Sequence, residues 1–236
     1  MQATLLRRAR PLLGTLVEIG TDADVFDAAF NAVAQVHRCM SRFEPGSDVA
    51  RFNALPAGGS IVVAADTQAV LAAAHRLQLA TDGCFDITLG TAPQGWICED
   101  SHLHKISPAV KLDLGGIAKG HAVDRAIEAL QAAGASRGWV NAGGDLRVFG
   151  RLELPVQLRD EQAGGTRPFG HLCDGAMATS HFGAATRSRH TAGALAHVTV
   201  IAPQCLWADA LTKVVAATGH CDHALLAYHQ AQAWRH

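Results

Sequence analysis

Residues 111–120 read Lys111-Leu-Asp113-Leu-Gly115-Gly116-Ile-Ala-Lys119-Gly120, and an amphipathic helical pattern starts directly behind them. Two adjacent glycines let a backbone come close to a ligand. The first amides of the following helix lack intrahelical acceptors, and the positive end of its dipole points the same way. Phosphate groups suit such a place. Asp113 and Lys119 bracket the turn with one acceptor and one cation. The stretch matches neither G-x-x-x-x-G-K-[ST] nor G-x-G-x-x-G, so it is not a P-loop or a Rossmann fingerprint. By itself it is a Gly-rich strand-to-helix turn, and both a phosphate site and a purely structural turn remain open.

The surrounding pattern sets the fold class. Leu12 to Ile19 reads as an opening strand, rich in β-branched residues. Asp22 or Asp24 is placed to cap a helix whose Phe26, Phe30, Val33, Val36 and Met40 recur at helical spacing. Ser47-Asp48 caps a short helix through Phe52, and Asp66 opens another with Val70, Leu71, Ala74 and Leu77 inward. Lys119 to Ala133 is a helix with Val123, Ile127 and Leu130 on one face and Gly134 at its end. Trp139 to Ala142 and Leu146 to Phe149 flank Gly143-Gly144-Asp145, a hairpin-type turn. Pro155 to Leu158 and His197 to Ala202 are further strands, and Ala208 to Thr218 is a helix ended by Gly219. Hairpin signals beside helices predict an α+β fold of mixed sheets with flanking helices. Residues 1–236 form one unit, or two subdomains packed intimately. The segment 160–196 carries the least periodicity.

Composition narrows the class. With 236 residues, 49% hydrophobic and 17% charged, the chain is a globular protein able to bury a substantial core. A net charge of −1 leaves no electrostatic footprint for nucleic acid or anionic membranes. Cys39, Cys84, Cys98, Cys173, Cys205 and Cys221 form no C-x-x-C pair and no zinc spacing, which favours reduced thiols. Arg7, Arg8 and Arg10 resemble a signal n-region, but Pro11, Gly14, Thr15 and Glu18 break the apolar run behind them. No lipoprotein cysteine follows and no stretch reaches membrane-span length, so the expected compartment is the cytoplasm.

Several blocks in register carry a resemblance. Asp113-Leu-Gly-Gly-Ile-Ala-Lys-Gly120, Ala122-Val-Asp124-Arg125 and Val140-Asn-Ala-Gly-Gly-Asp145 resemble the signature of the FAD:protein FMN transferase family, the ApbE-like proteins. Leu13-Gly14-Thr15, Met40-Ser-Arg-Phe43 running into Ser47-Asp-Val-Ala-Arg-Phe-Asn53, Gly83-Cys-Phe-Asp86 and Ala178-Thr-Ser180 match in the same order. Val198-Thr-Val-Ile-Ala-Pro203, leading to Ala208-Asp209-Ala-Leu211, completes the set.

The resemblance implies an enzyme that moves FMN from FAD to a threonine hydroxyl of an acceptor flavoprotein and releases AMP, with Mg²⁺ at the pyrophosphate. It places Asp209 as a metal ligand. Its bland alternative is an N-terminal helix carboxylate. Thr212 supplies a second oxygen and Gly116 a backbone oxygen. Lys213 stands where the family often has threonine, and it either turns outward or contacts phosphate. Leu13, Phe43, Cys84, Phe85 and Asp86 line the flavin, and Asp113 and Lys119 hold the adenosine and diphosphate parts. Phe43 reads equally as a core aromatic, and Asn141 and Asp145 read equally as turn formers.

His190 is the implied base. The family carries His-x-x-Asp-Pro-x-Thr-Gly between the Ala-Thr-Ser and Val-Thr-Val strands, and this chain has the shorter Arg189-His190-Thr191-Ala192-Gly193. His197 is the runner-up, with a strand residue as its plain reading. The shortened segment and Lys213 motivate two alternatives: an FAD-binding protein that has lost transfer, and an FAD pyrophosphatase yielding FMN and AMP. Asp174-Gly-Ala-Met-Ala-Thr179 nearly echoes the family's Asp-Gly-x-x-Ser/Thr-x-Ala-Thr acceptor motif, one residue short.

Overall fold

A computed structural model describes residues 5–159, 164–182 and 196–236. The chain opens with β1 (Leu6–Leu12), β2 (Thr15–Thr21), α1 (Phe26–Met40), α2 (Asp48–Ala54), β3 (Ser60–Val62) and α3 (Ala65–Ala80). Next come β4 (Trp96–Glu99), β5 (His102–Lys105), α4 (Ala118–Ala132), β6 (Gly138–Ala142) and β7 (Asp145–Phe149). It continues with β8 (Glu153–Arg159), β9 (Thr166–Cys173), β10 (Ala176–Phe182), β11 (Ala196–Ala202), α5 (Cys205–Thr218), α6 (Ala224–Tyr228) and β12 (Gln232–Arg235).

Seven strands form one antiparallel sheet in the order β1-β2-β6-β7-β10-β11-β12. Strands alternate their side chains between two faces. One face of this sheet, with Val17, Ile19, Val140, Ala178, Val198 and Val200, packs on the main core with α1, α4 and α5. The other face, with Trp139, Leu146, Val148 and Met177, meets Val156 and Leu172 of the β8–β9 hairpin in a smaller core. A three-stranded sheet, β3-β5-β4, packs beside α2 and α3. The arrangement is α+β, as the hairpin signals implied.

The apolar stripe of α1 is buried as its spacing predicted, Phe26, Phe30, Val33, Val36 and Met40 all being at most 4% exposed. Ser47 caps α2 by accepting from the Ala50 amide at 3.0 Å. Other expectations are corrected. Leu12–Ile19 is not one strand but a hairpin: Leu12 pairs with Thr15, and Leu13 (φ 56°) and Gly14 (φ 72°) form the two-residue turn between β1 and β2. Left-handed values at both central positions are those of a type I′ turn. Asp22 and Asp24 do not cap α1; Asp22 accepts from the Ser136 amide at 3.1 Å and Asp24 pairs with Arg8. Asp66 stands in the first turn of α3, as expected. Asp48 of α2 serves α3, accepting from the Ala64 amide at 2.9 Å and the Thr67 hydroxyl at 2.7 Å.

The β6–β7 turn at Gly143 (φ 63°) and Gly144 (φ 102°) is again of the I′ kind. Here glycine is required twice over, because a Cβ at Gly143 would sit 2.5 Å from the Thr15 hydroxyl. That contact brings the β1–β2 and β6–β7 turns together at one end of the sheet. No helix among the described residues is long and apolar enough to cross a membrane. All six cysteines are unpaired thiols.

Candidate active site

Asn53 at the end of α2 anchors the Gly-rich segment. Its amide donates to the Leu112 carbonyl at 2.9 Å and its side-chain oxygen accepts from the Leu112 amide at 2.7 Å. One residue on, the Asp113 amide donates to the Ile87 carbonyl at 2.8 Å, which joins the Gly83–Asp86 segment to the same turn. The Asp113 carboxylate accepts from the Gly115 amide at 2.9 Å and faces the Arg42 guanidinium at 3.3 Å. Arg42 in turn lies 4.3 Å over the Phe43 ring.

Phe43 is 76% exposed, which overturns its reading as a core aromatic. The Phe85 ring belongs to the core instead, 4% exposed, and Cys84 is half-buried. Asp86 spends its carboxylate locally, accepting from the Thr88 amide, the Thr88 hydroxyl and the Gly90 amide, each at 2.8 Å. Leu13 sits in the β1–β2 turn and lines an open groove with Pro11, Thr15, Leu16 and His37.

The Gly-rich turn delivers the chain into α4, but the expected free amides there are largely taken. The Ile117 and Ala118 amides donate to the Leu114 carbonyl at 3.1 and 2.9 Å, and the Gly120 amide donates to the Asp209 carboxylate at 3.1 Å. An anion therefore already occupies the helix terminus, and it comes from α5. Asp209 does not begin its helix, as the capping alternative required; α5 starts four residues earlier, at Cys205. The N-terminus of α5 is capped by Asp124 of α4, which accepts from the Cys205 and Leu206 amides at 2.9 and 2.8 Å and holds Arg147 at 2.7 Å. Each helix thus supplies the carboxylate for the other's amides. Gly120 permits the crossing, since a Cβ there would lie 2.2 Å from the Cys205 carbonyl.

Four charges meet beneath this crossing. Lys119 pairs with Asp145, and Lys213 pairs with Asp209. Asp145 and Asp209 are fully buried, while the Lys119 and Lys213 side chains keep 33% and 19% of their exposure. Asp145 is more than a turn former; Asn141 fills that role by accepting from the Gly144 amide at 3.0 Å. Burial, with the nearby Asp209 charge, pushes the Asp145 carboxyl up to about 6, against the pull of Lys119 and Lys213. One Asp145 oxygen is buried without a partner. Burial also works against Asp209, but Lys213 and Lys119 hold its carboxyl below the ordinary value. Lys119 loses solvation too, yet the Asp209 and Asp145 carboxylates keep its ammonium above the usual range.

Lys213 does not turn outward; its side chain is 19% exposed. It donates to the Asp209 carboxylate, to the Asp209 carbonyl at 3.0 Å and to the Ser180 hydroxyl at 3.0 Å. Thr212 is equally engaged, donating to the Asp209 carbonyl at 2.7 Å and sharing a 2.9 Å hydrogen bond with Ser180. Gly116 lies against the Lys213 stem, whose nearest carbon would be 3.5 Å from a Cβ there.

His190 lies outside the described residues. His197 stands on β11 between Ala196 and the buried Val198, so alternation puts it on the face away from α5 and Lys213. It forms a row with His181, 3.0 Å away, and with the stacked ring of His236. That placement removes it as a base for chemistry at the α4–α5 crossing. Sequence reasoning assigned no role to Asp124, Arg42, Asn53 or Ser180. For each the only signal was membership in a matching block, because the partners lie far along the chain.

A sequence model described as the ApbE family matches residues 13–104 and 95–234. Among curated proteins, the FAD:protein FMN transferase of Haemophilus influenzae is 29% identical over 150 residues, covering 49% of this chain and 43% of that protein. The enzyme of the same name from Rhodobacter capsulatus is 29% identical over 176 residues, covering 59% and 34%. The matched stretch thus spans less than half the length of these curated relatives. Among solved structures, the apo form of the Pseudomonas stutzeri flavinyl transferase ApbE superposes with a TM-score of 0.81 at 22% identity, covering 98% of this chain and 90% of that one. The flavin transferase ApbE from Vibrio cholerae gives 0.82 at 21% identity, covering 98% and 93%. These likenesses establish the shared fold. With the family model spanning most of the chain and its blocks gathered around one Gly-rich turn, this protein belongs to the ApbE family.

Proposed function

We propose that this chain transfers FMN from FAD to a threonine hydroxyl of an acceptor protein and releases AMP. The observation that carries the reading is the charged crossing of α4 and α5, with the Lys119 side chain 33% exposed at the end of the Asp113–Gly120 turn, in a chain of this family. The names of the Haemophilus and Rhodobacter relatives support it.

In the step, the threonine oxygen forms a bond to the phosphorus of the FMN half. The anhydride P–O bond to the AMP phosphate breaks, and AMP leaves with the electron pair. Charge builds on phosphate oxygens, which a fixed cation stabilises most where water is partly excluded. Lys119 is the cation held ready, its charge secured by Asp145. Phe43, exposed beside Arg42, offers a face for the flavin ring, with Asp113 paired to the same Arg42; in this reading Leu13, Cys84 and Asp86 are further flavin contacts, as the resemblance implies. His190 takes the hydroxyl proton in this reading.

The Mg²⁺ implied by the resemblance needs oxygens from Asp209, Thr212 and Gly116. Both Asp209 carboxylate oxygens and the Thr212 hydroxyl are already hydrogen-bonded within the protein. The donor set does not fit a resident Mg²⁺.

The test is incubation with FAD and a peptide containing Asp-Gly-x-x-Ser/Thr-x-Ala-Thr, followed by mass spectrometry. Covalent FMN on the threonine supports transfer. Free FMN with AMP replaces it with hydrolysis, and bound but unchanged FAD replaces it with a binding protein. His190→Ala should lower transfer by roughly 10² to 10⁴, with FAD affinity unchanged.

A further inference from the structure

A lysine ammonium has three protons to donate, and all three of Lys213's go to oxygens of its own chain. They go to the Asp209 carboxylate, the Asp209 carbonyl and the Ser180 hydroxyl. Ser180 is tied to Thr212, and Thr212 returns to the Asp209 carbonyl, so the hydrogen bonds close into a ring. The second Asp209 oxygen is held by the Gly120 amide. The lysine stem lies along Gly116. A cation surrounded by oxygens from Asp209 and Ser180 is thus already present, and it is covalently part of α5.

We propose that Lys213 is a built-in cation that takes the place of a divalent metal, so that the pyrophosphate of FAD is bound without one. This rests on the reading of the crossing as the FAD site. Charge supports it. Asp145 and Asp209 are matched by Lys119 and Lys213, each carboxylate carrying its own ammonium. An incoming dication would meet a neutral cluster with no carboxylate oxygen to spare at Asp209. It would also have to displace an ammonium from a fully buried partner, and Mg²⁺ gives up its own water reluctantly. FAD's pyrophosphate meets instead two fixed ammonium groups, of which Lys119 is the more exposed.

The test uses Mn²⁺ as a spectroscopic probe on the full chain, with flavin fluorescence for FAD affinity. The wild-type protein should leave the free Mn²⁺ EPR signal undiminished up to about 1 mM, beyond the range of a dedicated divalent site. FAD affinity should be the same in EDTA and in Mg²⁺. Lys213→Thr removes the ammonium and sets an oxygen donor one turn from Asp209. It should gain a single Mn²⁺ per chain and an FAD affinity that falls about tenfold in EDTA, a difference of about 1.4 kcal/mol. Adding Asp209→Asn should abolish that gain. Stoichiometric Mn²⁺ binding by the wild-type chain, lost in Asp209→Asn, overturns the proposal, as does a wild-type FAD affinity that collapses in EDTA. If Lys213→Thr fails to fold by circular dichroism, the two wild-type measurements decide alone. An absence of FAD binding under every condition refutes the FAD reading of the crossing, while the Mn²⁺ titration still judges Lys213.

Discussion

Replacing Asp124 with alanine removes the acceptor for two helix amides at once. Cys205 is fully buried and Leu206 nearly so, so their amides at 2.9 and 2.8 Å from the carboxylate have no water to turn to. Each buried donor left unpaired costs about 1–3 kcal/mol. Arg147 also loses its partner, but it keeps 22% exposure and recovers part of that loss from solvent. These terms share one side chain and do not add in full. A net destabilisation of about 3–5 kcal/mol follows, the range for breaking a buried charged pair.

For a chain of this length each kcal/mol moves the melting temperature by about 2–4 °C. Asp124→Ala should therefore melt roughly 6–20 °C below wild type. Asp124→Asn makes the argument sharper. Burial raises the Asp124 carboxyl above its ordinary value despite Arg147 and the two amides. The charge itself is thus not what the site rewards, and the hydrogen bonds are. Asparagine keeps one acceptor oxygen and turns an NH2 toward the other amide, so it should fall between wild type and alanine, about 1–3 kcal/mol below wild type. Urea denaturation of the three proteins, with m-values compared, measures both differences. An alanine variant within about 1 kcal/mol of wild type, or an asparagine variant as stable as wild type, refutes the tertiary cap.

Lys119→Ala should weaken FAD binding by about 1–3 kcal/mol and cost the fold about 3–5 kcal/mol by leaving Asp145 buried without its cation. An unchanged dissociation constant in flavin fluorescence would make the turn purely structural. Phe43→Ala, at a site 76% exposed, should leave stability within about 0.5 kcal/mol yet weaken FAD by about 0.5–1.5 kcal/mol if the ring stacks on flavin; equal affinity for both proteins removes the stacking role. Asp145 gives a pH dependence. Its folded value of about 6 lies above the ordinary 3.8, so the folded state binds more protons between those limits and stability falls as pH rises through that window. Asp209, held low, acts in the opposite sense and only at more acid pH. Urea midpoints between about pH 4 and pH 6 should fall less steeply in Asp145→Asn than in wild type, and parallel slopes would show that Asp145 does not carry the effect.

Much of the fold was legible because its signals are local. The stripe of α1, the Ser47 cap, the Gly143-Gly144 turn and the inward faces of α4 and α5 follow from spacing and glycine within a few residues. The Gly-rich turn and its link to a helix were legible for the same reason. The β1–β2 hairpin was not. Leucine has no local preference for the left-handed conformation Leu13 adopts, and only pairing of Leu12 with Thr15 imposes it. β3, β4, β5 and β12 are three or four residues long, too short for alternation to register.

At the candidate site the division is sharper. Residue types at 113–120 left a phosphate site open from sequence alone, Asp145 read as a turn former, and only the family resemblance singled out 209–213. Which charge meets which was decided in three dimensions. The amides at the starts of α3, α4 and α5 have no side-chain acceptor at their own N-caps. They are served from 16, 89 and 81 residues away by Asp48, Asp209 and Asp124. Helical spacing allowed Lys213 to face Asp209, but the choice between solvent and carboxylate belonged to Ser180 on β10 and to the missing Cβ of Gly116. A buried carboxylate must find a cation or a donor wherever the fold brings one near, and no periodicity in the chain records where that is.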